Sequence, residues 1–327
     1  MTAKIIIHNP TNFKTKKYRY YNIFFDQLVQ ALKEKFEIIE NRYFIDSHKN
    51  RYPIKLLYDE DNTGVSHSTL MLECEMILEN SNTKELKILS VSDYFTDSSL
   101  GLFNNEVAQK YISKVLLSQF NRQSIINHCH NKSIDAIYSP WIYFPSNLYD
   151  LNELYNKRQK ISQLVDKFYF RGSGLEHRPM IKFFNKELFA GGGPIGNFEN
   201  YANEAIQYKI GFSCAGSAQF CYRDIEYMAM GIPILRFEYT NEMNPPLIPN
   251  FHYIAVQPPM EHTAELNTTE EHSRLIEQKF LQVKDDIDFL QSIANNARQY
   301  YLNHIHGLNG VKHTLQLLDV NEWNASS

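Results

Sequence analysis

Apolar and polar positions along this chain switch repeatedly between the period of a strand and that of a helix. Residues 4–8 are apolar around three consecutive isoleucines and read as a strand. A polar turn through His8, Asn9, Pro10, Thr11 and Asn12 follows, and residues 18–36 then return apolar side chains at helical spacing. Residues 37–40, 70–78 and 86–92 supply further strands bounded by polar or Asn-rich turns. Residues 105–120, with Val107, Tyr111, Val115 and Leu116 on one side, read as a covering helix, and 136–138 as a strand ended by Ser139, Pro140 and Trp141.

Residues 146–165, rich in Asn, Lys, Asp and Gln, form a dip between two apolar blocks and read as a linker. They divide the chain into domains 1–160 and 161–327. The second domain opens with a strand at 167–170, a turn through Arg171, Gly172, Ser173 and Gly174, and a helix from Pro179 to Lys186. Its centre is 208–237: a strand at 208–214, a turn at Ala215, Gly216 and Ser217, and a short helix stopped by Gly231, Ile232 and Pro233. A second strand then runs over 232–237. Two strands joined through a helix pair in parallel. A strand at 248–256 and helices at 270–285, 288–304 and 310–318 complete an α/β pattern of two Rossmann-like domains with C-terminal helices.

With 327 residues, 43% of them apolar, the chain can fill two cores of about 150 residues each. The net charge of −4 supplies no overall basic field, which argues against nucleic acid as a partner. No apolar run reaches the roughly 18 residues of a membrane span, so a cytoplasmic protein without a transmembrane segment is expected. Cys74, Cys129, Cys214 and Cys221 show no C-x-x-C spacing and read as reduced thiols, with no structural disulfide.

The candidate chemistry gathers at the carboxyl ends of strands, where open α/β sheets hold ligands. Ser217 is positioned to cap the central helix, whose first-turn N–H groups and dipole suit a phosphate. Arg223 and Glu226 lie three apart on one helix face: the Arg offers a forked set of donors to a diphosphate, and the Glu accepts hydroxyl donors such as those of a ribose. The alternative is an ordinary surface ion pair. Arg171, His177 and Arg178 concentrate positive charge around the domain's first turn. Asp93 and Asp97 follow the strand at 86–89 and are candidate bases, while Glu238 and Glu242 lie in the loop after the second central strand.

Three further patterns carry less. Gly191, Gly193 and Gly196 satisfy G-x-G-x-x-G, but the acidic partner of a dinucleotide site, about 20 positions on, is missing. Gly211, Phe212, Ser213 and Cys214 stand there instead, which favours a flexible loop over an NAD site. The pairs His128/His130 and His304/His306 have no third ligand at zinc spacing. Gly216-Ser217-Ala218 lacks the second glycine of a nucleophile elbow.

Ser213, Arg223, Glu226 and Gly231-Ile232-Pro233-Ile234 together resemble the signature of exostosin-like glycosyltransferases and related two-domain sugar transferases. Phe168-Tyr169-Phe170-Arg171-Gly172 resembles the strand that opens their donor domain. The resemblance spans about residues 165–256. It implies a GT-B architecture, in which two Rossmann-like domains face a cleft and the final helices pack back toward the first domain. It also favours inversion, in transfer from a UDP- or GDP-linked sugar to a hydroxyl of a glycan acceptor. Metal-independent transfer is a separate expectation, resting on the Arg residues around the site and on the expectation of no Asp-x-Asp carboxylate pair. The donor would meet Arg171, Gly172, Arg178, Ser213, Gly216, Ser217, Arg223 and Glu226; Asp93 is the first choice of base and Asp97 the second. No cofactor is expected beyond the donor itself. The rival readings are an NAD-dependent oxidoreductase or nucleotide-sugar modifying enzyme using the loop at 191–196, and a glycan- or nucleotide-binding protein without turnover.

Overall fold

The structure, a computed structural model, describes residues 4–10, 19–43, 75–90, 111–118, 120–122, 138–142, 151–172, 178–215, 219–257, 270–321 and 323. In chain order its elements are β1 (Lys4–Pro10), α1 (Arg19–Lys33), β2 (Glu37–Tyr43), β3 (Glu75–Asn80), β4 (Leu86–Ser90), β5 (Ile112–Leu117), β6 (Tyr138–Pro140), α2 (Leu151–Gln159), β7 (Val165–Arg171) and β8 (Phe189–Gly192). There follow α3 (Phe198–Ala205), β9 (Tyr208–Phe212), α4 (Tyr222–Met230), β10 (Ile234–Phe237), β11 (Ile254–Val256), α5 (Glu270–Val283), α6 (Ile287–His304) and α7 (Gly307–Leu318). This is an α/β protein of two compact units. The first comprises Met1–Ser146, Glu242–Asn244 and Gly307–Ser327, the second Asn147–Asn241 and Pro245–His306.

The first unit holds a six-stranded sheet in the order β2-β1-β3-β4-β5-β6. Among the described residues only β3 runs against its neighbours, because it forms a hairpin with β4. The side chain of Asn80 makes that turn by accepting the N–H groups of Asn82 at 2.9 Å and Thr83 at 3.2 Å, while Lys84 takes a left-handed φ of 64°. The other strands are parallel and end on one edge. Ile5, Ile7, Leu28, Met76, Leu89 and Leu116 form a core that also takes in Val311 and Leu318 of α7. The indole N–H of Trp141 donates to Thr314 at 3.0 Å, so the last helix is seated within this unit.

β1 runs through His8, Asn9 and Pro10 rather than turning there, because pairing with β2 carries the extended backbone on. The helix expected over 105–120 gives way to strand β5, whose Ile112, Val115, Leu116 and Leu117 are buried in parallel pairing with β4 and β6. The consecutive apolar residues Val115, Leu116 and Leu117 satisfy helical and central-strand patterns alike, and sheet pairing decides between them. The segment 146–165, read as linker, contains α2, so the second unit begins ahead of the division near residue 160.

The second unit is a five-stranded, wholly parallel sheet in the order β11-β10-β9-β7-β8. Phe168, Phe170 and Phe212 point to one face, where the 3-10 turn Pro179–Phe183 and α5 cover them. The helix expected from Pro179 to Lys186 is only this short turn. Tyr169 and Gly211 point to the other face, under α3 and α4. A side chain at Gly211 would meet the Tyr227 ring at 2.6 Å, so glycine is what lets α4 lie against β9. Buried Arg158 on α2 donates to the carbonyls of Ile206 and Tyr208, each at 2.7 Å, Gly231 at 3.1 Å and Lys209 at 3.2 Å, fastening the C-terminal ends of α3 and α4 to the start of β9. The strand expected at 248–256 is confined to β11.

Candidate functional site

Chain order and spatial order differ in the second sheet in an informative way. From β7 the chain moves outward to β8, then crosses back by α3 to β9 on β7's other side before continuing to β10 and β11. Neighbouring connections thus leave β7 and β9 in opposite directions. In doubly wound sheets the crevice beyond the carboxyl ends of two such strands is where ligands are held. Here those ends are Arg171 and Gly172 on one side and Ser213 and Cys214 on the other, with α4 starting above them.

Arg223, in the first turn of α4, reaches across this edge. Its Nε and Nη2 donate to the carbonyl oxygen of Arg171 at 3.1 and 2.6 Å, and its guanidinium lies 4.1 Å from the centre of the Phe170 ring. The Arg178 guanidinium lies over the same ring at 5.8 Å. A Cβ at Gly172 would fall on Nη2 of Arg223, so this glycine admits the guanidinium. Among the described residues Arg223 has no carboxylate partner, and the surface ion pair with Glu226 considered above is not formed. Two cations with delocalised charge, poised on an aromatic face at a strand end, suit a polyanionic ligand.

Glu226 lies one turn further along α4, half-buried beside the Tyr201 hydroxyl of α3. Burial pushes its carboxyl above the ordinary 4.5, against the pull of the Arg223 guanidinium and of Tyr201. Such a carboxyl gains from ligand hydroxyls that donate to it. Ser213 is fully buried, and its hydroxyl has no hydrogen-bond partner among the described residues. Burial also pushes the Cys214 thiol up to about 11, so it stays protonated at neutral pH despite the guanidinium groups of Arg223 and Arg178 nearby.

Other expected residues are engaged elsewhere. The Arg171 side chain turns back to α3 and pairs with Glu204 through Nε at 3.2 Å and Nη2 at 3.0 Å, while the Tyr169 hydroxyl donates to the same carboxylate at 3.1 Å. Its contribution at the edge is therefore the carbonyl that holds Arg223. Glu242, itself part of the first unit, pairs there with Arg122 at 2.7 and 2.9 Å, and Glu238 accepts from Gln257. The rings of His304 and His306 pack on Tyr300 and Tyr301. Gly216, Ser217, His177, Asp93, Asp97, His128 and His130 lie outside the described residues. The N-cap of α4 is Cys221 rather than Ser217, and its N–H donates to Asp224 at 2.8 Å.

The glycine-rich stretch is part of β8 and the turn into α3, which Asn197 caps. Gly191, with φ of 127°, lies against the Phe170 carbonyl, where a Cβ would collide with that oxygen. Because β8 is an edge strand, this turn sits beside the crevice edge and not between β7 and β9. Among the described residues no cluster of His, Cys, Asp and Glu could hold a metal ion, and no helix is long and apolar enough to cross a membrane. Asp-x-Asp spacings do occur, at Asp59 and Asp61 outside the described residues and at Asp286 and Asp288, where Asp286 caps α6 through the N–H of Phe289.

Sequence reasoning missed Asp224 and Arg236. They form a buried ion pair of 2.8 Å beneath the first turn of α4. An Arg within the apolar run Ile-Leu-Arg-Phe was the available signal, since a charge in a central strand requires a partner.

No protein-family description matches the chain, and no curated protein is similar enough in sequence to count as a relative. Among solved structures it is similar to a glycosyltransferase from Rickettsia africae ESF-5, with 15% identity and a TM-score of 0.46, covering 72% of this chain and 69% of that one. It is also similar to a sucrose-phosphate synthase from Thermosynechococcus elongatus, with 10% identity and a TM-score of 0.45, covering 73% and 68%. A third is S. aureus TarM, solved as a mutant with fondaparinux, alpha-GlcNAc-glycerol and UDP; there identity is 11%, the TM-score 0.41, and coverage 69% and 47%.

Proposed function

We propose that this protein is a glycosyltransferase that moves a sugar from a UDP- or GDP-linked donor to a hydroxyl of a glycan acceptor, with the donor held by the second unit. The observation that supports it most is the Arg223 guanidinium, without a carboxylate partner among the described residues, at the switch point between β7 and β9 with Glu226 one turn behind. Arg223 and Arg178 would take the diphosphate, and Glu226 and Ser213 the hydroxyls of the ribose or sugar. The resemblance of this same stretch to exostosin-like transferases supplies the reaction class.

The chemistry would be a single in-line displacement with inversion. Asp93, or failing it Asp97, removes the acceptor proton, and guanidinium groups with the α4 N-terminus balance the charge of the leaving diphosphate without a metal. The test is a thermal-shift screen of nucleoside diphosphates and NAD in excess chelator, followed by assay of the stabilising nucleotide's sugar conjugates for hydrolysis and transfer. A ligand at about 100 times its Kd stabilises by about 2.7 kcal/mol, which is readily detected. UDP or GDP should stabilise and NAD should not. Stabilisation by NAD alone would move the protein to the oxidoreductase reading, and binding without any turnover of sugar conjugates to the non-catalytic one.

A further inference from the structure

The first turn of α4 is held from below by a network that the ligand-facing residues do not explain. Arg236 on β10 and Asp224 on α4 are 3% and 0% exposed, and their charged groups meet at 2.8 Å. Arg236 also donates from Nε to the carbonyl of Phe237 at 3.0 Å and from Nη2 to that of Gln219 at 2.9 Å, with its guanidinium over the Tyr239 ring. The other Asp224 oxygen accepts the N–H of Cys221 at 2.8 Å. Gln219 completes the network by accepting the N–H groups of Thr240 and Asn241 at 2.8 and 3.1 Å. The chain entering α4 is thus joined to the chain leaving β10 around one ion pair.

A buried ion pair is a poor way to gain stability, since apolar side chains of similar volume often do as well. Two consequences for an anion at this end of α4 are specific to the charged pair. Arg236 fixes the backbone at residues 219–221, which leads into the helix turn bearing Arg223. It also offsets Asp224, whose carboxylate would otherwise repel a phosphate from the helix N-terminus.

We propose that Arg236 is a positioning residue for binding of the diphosphate group, acting through Gln219 and Asp224 on the first turn of α4; this rests on the nucleotide reading of the site given above. The test compares Arg236→Met, Arg236→Lys and the double variant Arg236→Met with Asp224→Asn for binding of UDP against uridine and GDP against guanosine, by calorimetry. Arg236→Met should weaken the diphosphates about tenfold or more while nucleoside affinity changes by less than about twofold. Arg236→Lys should recover most of the loss, and removing the Asp224 charge in the double variant should recover part of it.

Equal losses for nucleoside and diphosphate, or no loss for either, would overturn the proposal, because a merely structural residue does not distinguish the two ligands. If the parental protein binds neither UDP nor GDP, the nucleotide reading itself fails. Amide exchange of the unliganded Arg236→Met variant then judges the network alone: exchange about tenfold faster in peptides covering 219–224, with β7 and β8 unchanged, supports the positioning role, and unchanged exchange refutes it. Should Arg236→Met fail to fold, Arg236→Gln, which also removes the charge, carries both readouts.

Discussion

Replacing Arg223 by Ala is the most direct perturbation of the candidate site, and the structure separates its two effects. The first is on stability. The carbonyl of Arg171 loses both donors from Arg223, at 3.1 and 2.6 Å, and Phe170 loses a cation 4.1 Å from its centre. A hydrogen bond involving a charged group is worth about 1.5–3 kcal/mol, and a cation on a ring about 0.5–2 kcal/mol. Both come from one guanidinium, so they overlap, and a net loss of about 2–3 kcal/mol is expected in urea unfolding. The second effect is on the ligand. Removing one charge-assisted contact to a diphosphate should again cost about 1.5–3 kcal/mol, or roughly ten- to hundredfold in Kd for UDP or GDP by calorimetry. Arg223→Lys separates charge from geometry: it retains the cation but cannot both fork onto the Arg171 carbonyl and face the ligand, so it should fall between the two. A folded Arg223→Ala protein that binds nucleotide with parental affinity would refute the assignment of this edge as the diphosphate site.

Other expectations follow from the same geometry. Glu226 has a carboxyl raised above 4.5, so its contribution to stability is fully present below that value and is lost as pH rises through its higher value in the folded protein. Glu226→Gln should therefore flatten the fall in Tm from acid to neutral pH and weaken ribose-bearing ligands more than pyrophosphate; a parallel pH profile would show that the carboxyl is well solvated. Arg158→Leu leaves four carbonyls without their donor and should lower stability by about 3–5 kcal/mol in urea unfolding, whereas a loss under about 1 kcal/mol would mean that water reaches them. Asp93→Asn should reduce turnover by about 10²–10⁴-fold with donor affinity unchanged, and near-parental transfer would pass the role of base to Asp97.

Much of the second unit was legible in the amino-acid sequence because its signals are local. The apolar runs at Phe168 and Ile210, the stop at Gly231 and Pro233, and the three-residue spacing of Arg223 and Glu226 predict strand, helix and shared face from periodicity and turn chemistry alone. Pairing decided what local pattern leaves open. Residues 112–117 suit a helix or a central strand equally, and become β5 only because β4 and β6 lie on either side. The site shows the same division. Residue types marked Arg171 and Arg223 as cations at a strand end, yet only packing sets Glu204 beside Arg171, leaving its carbonyl to orient Arg223. Likewise, Asp224 and Arg236 are twelve positions apart across a helix and a strand, so no sequence period joins them. They meet because parallel crossover returns the chain to the same edge of the sheet, where two charges withdrawn from water must find each other.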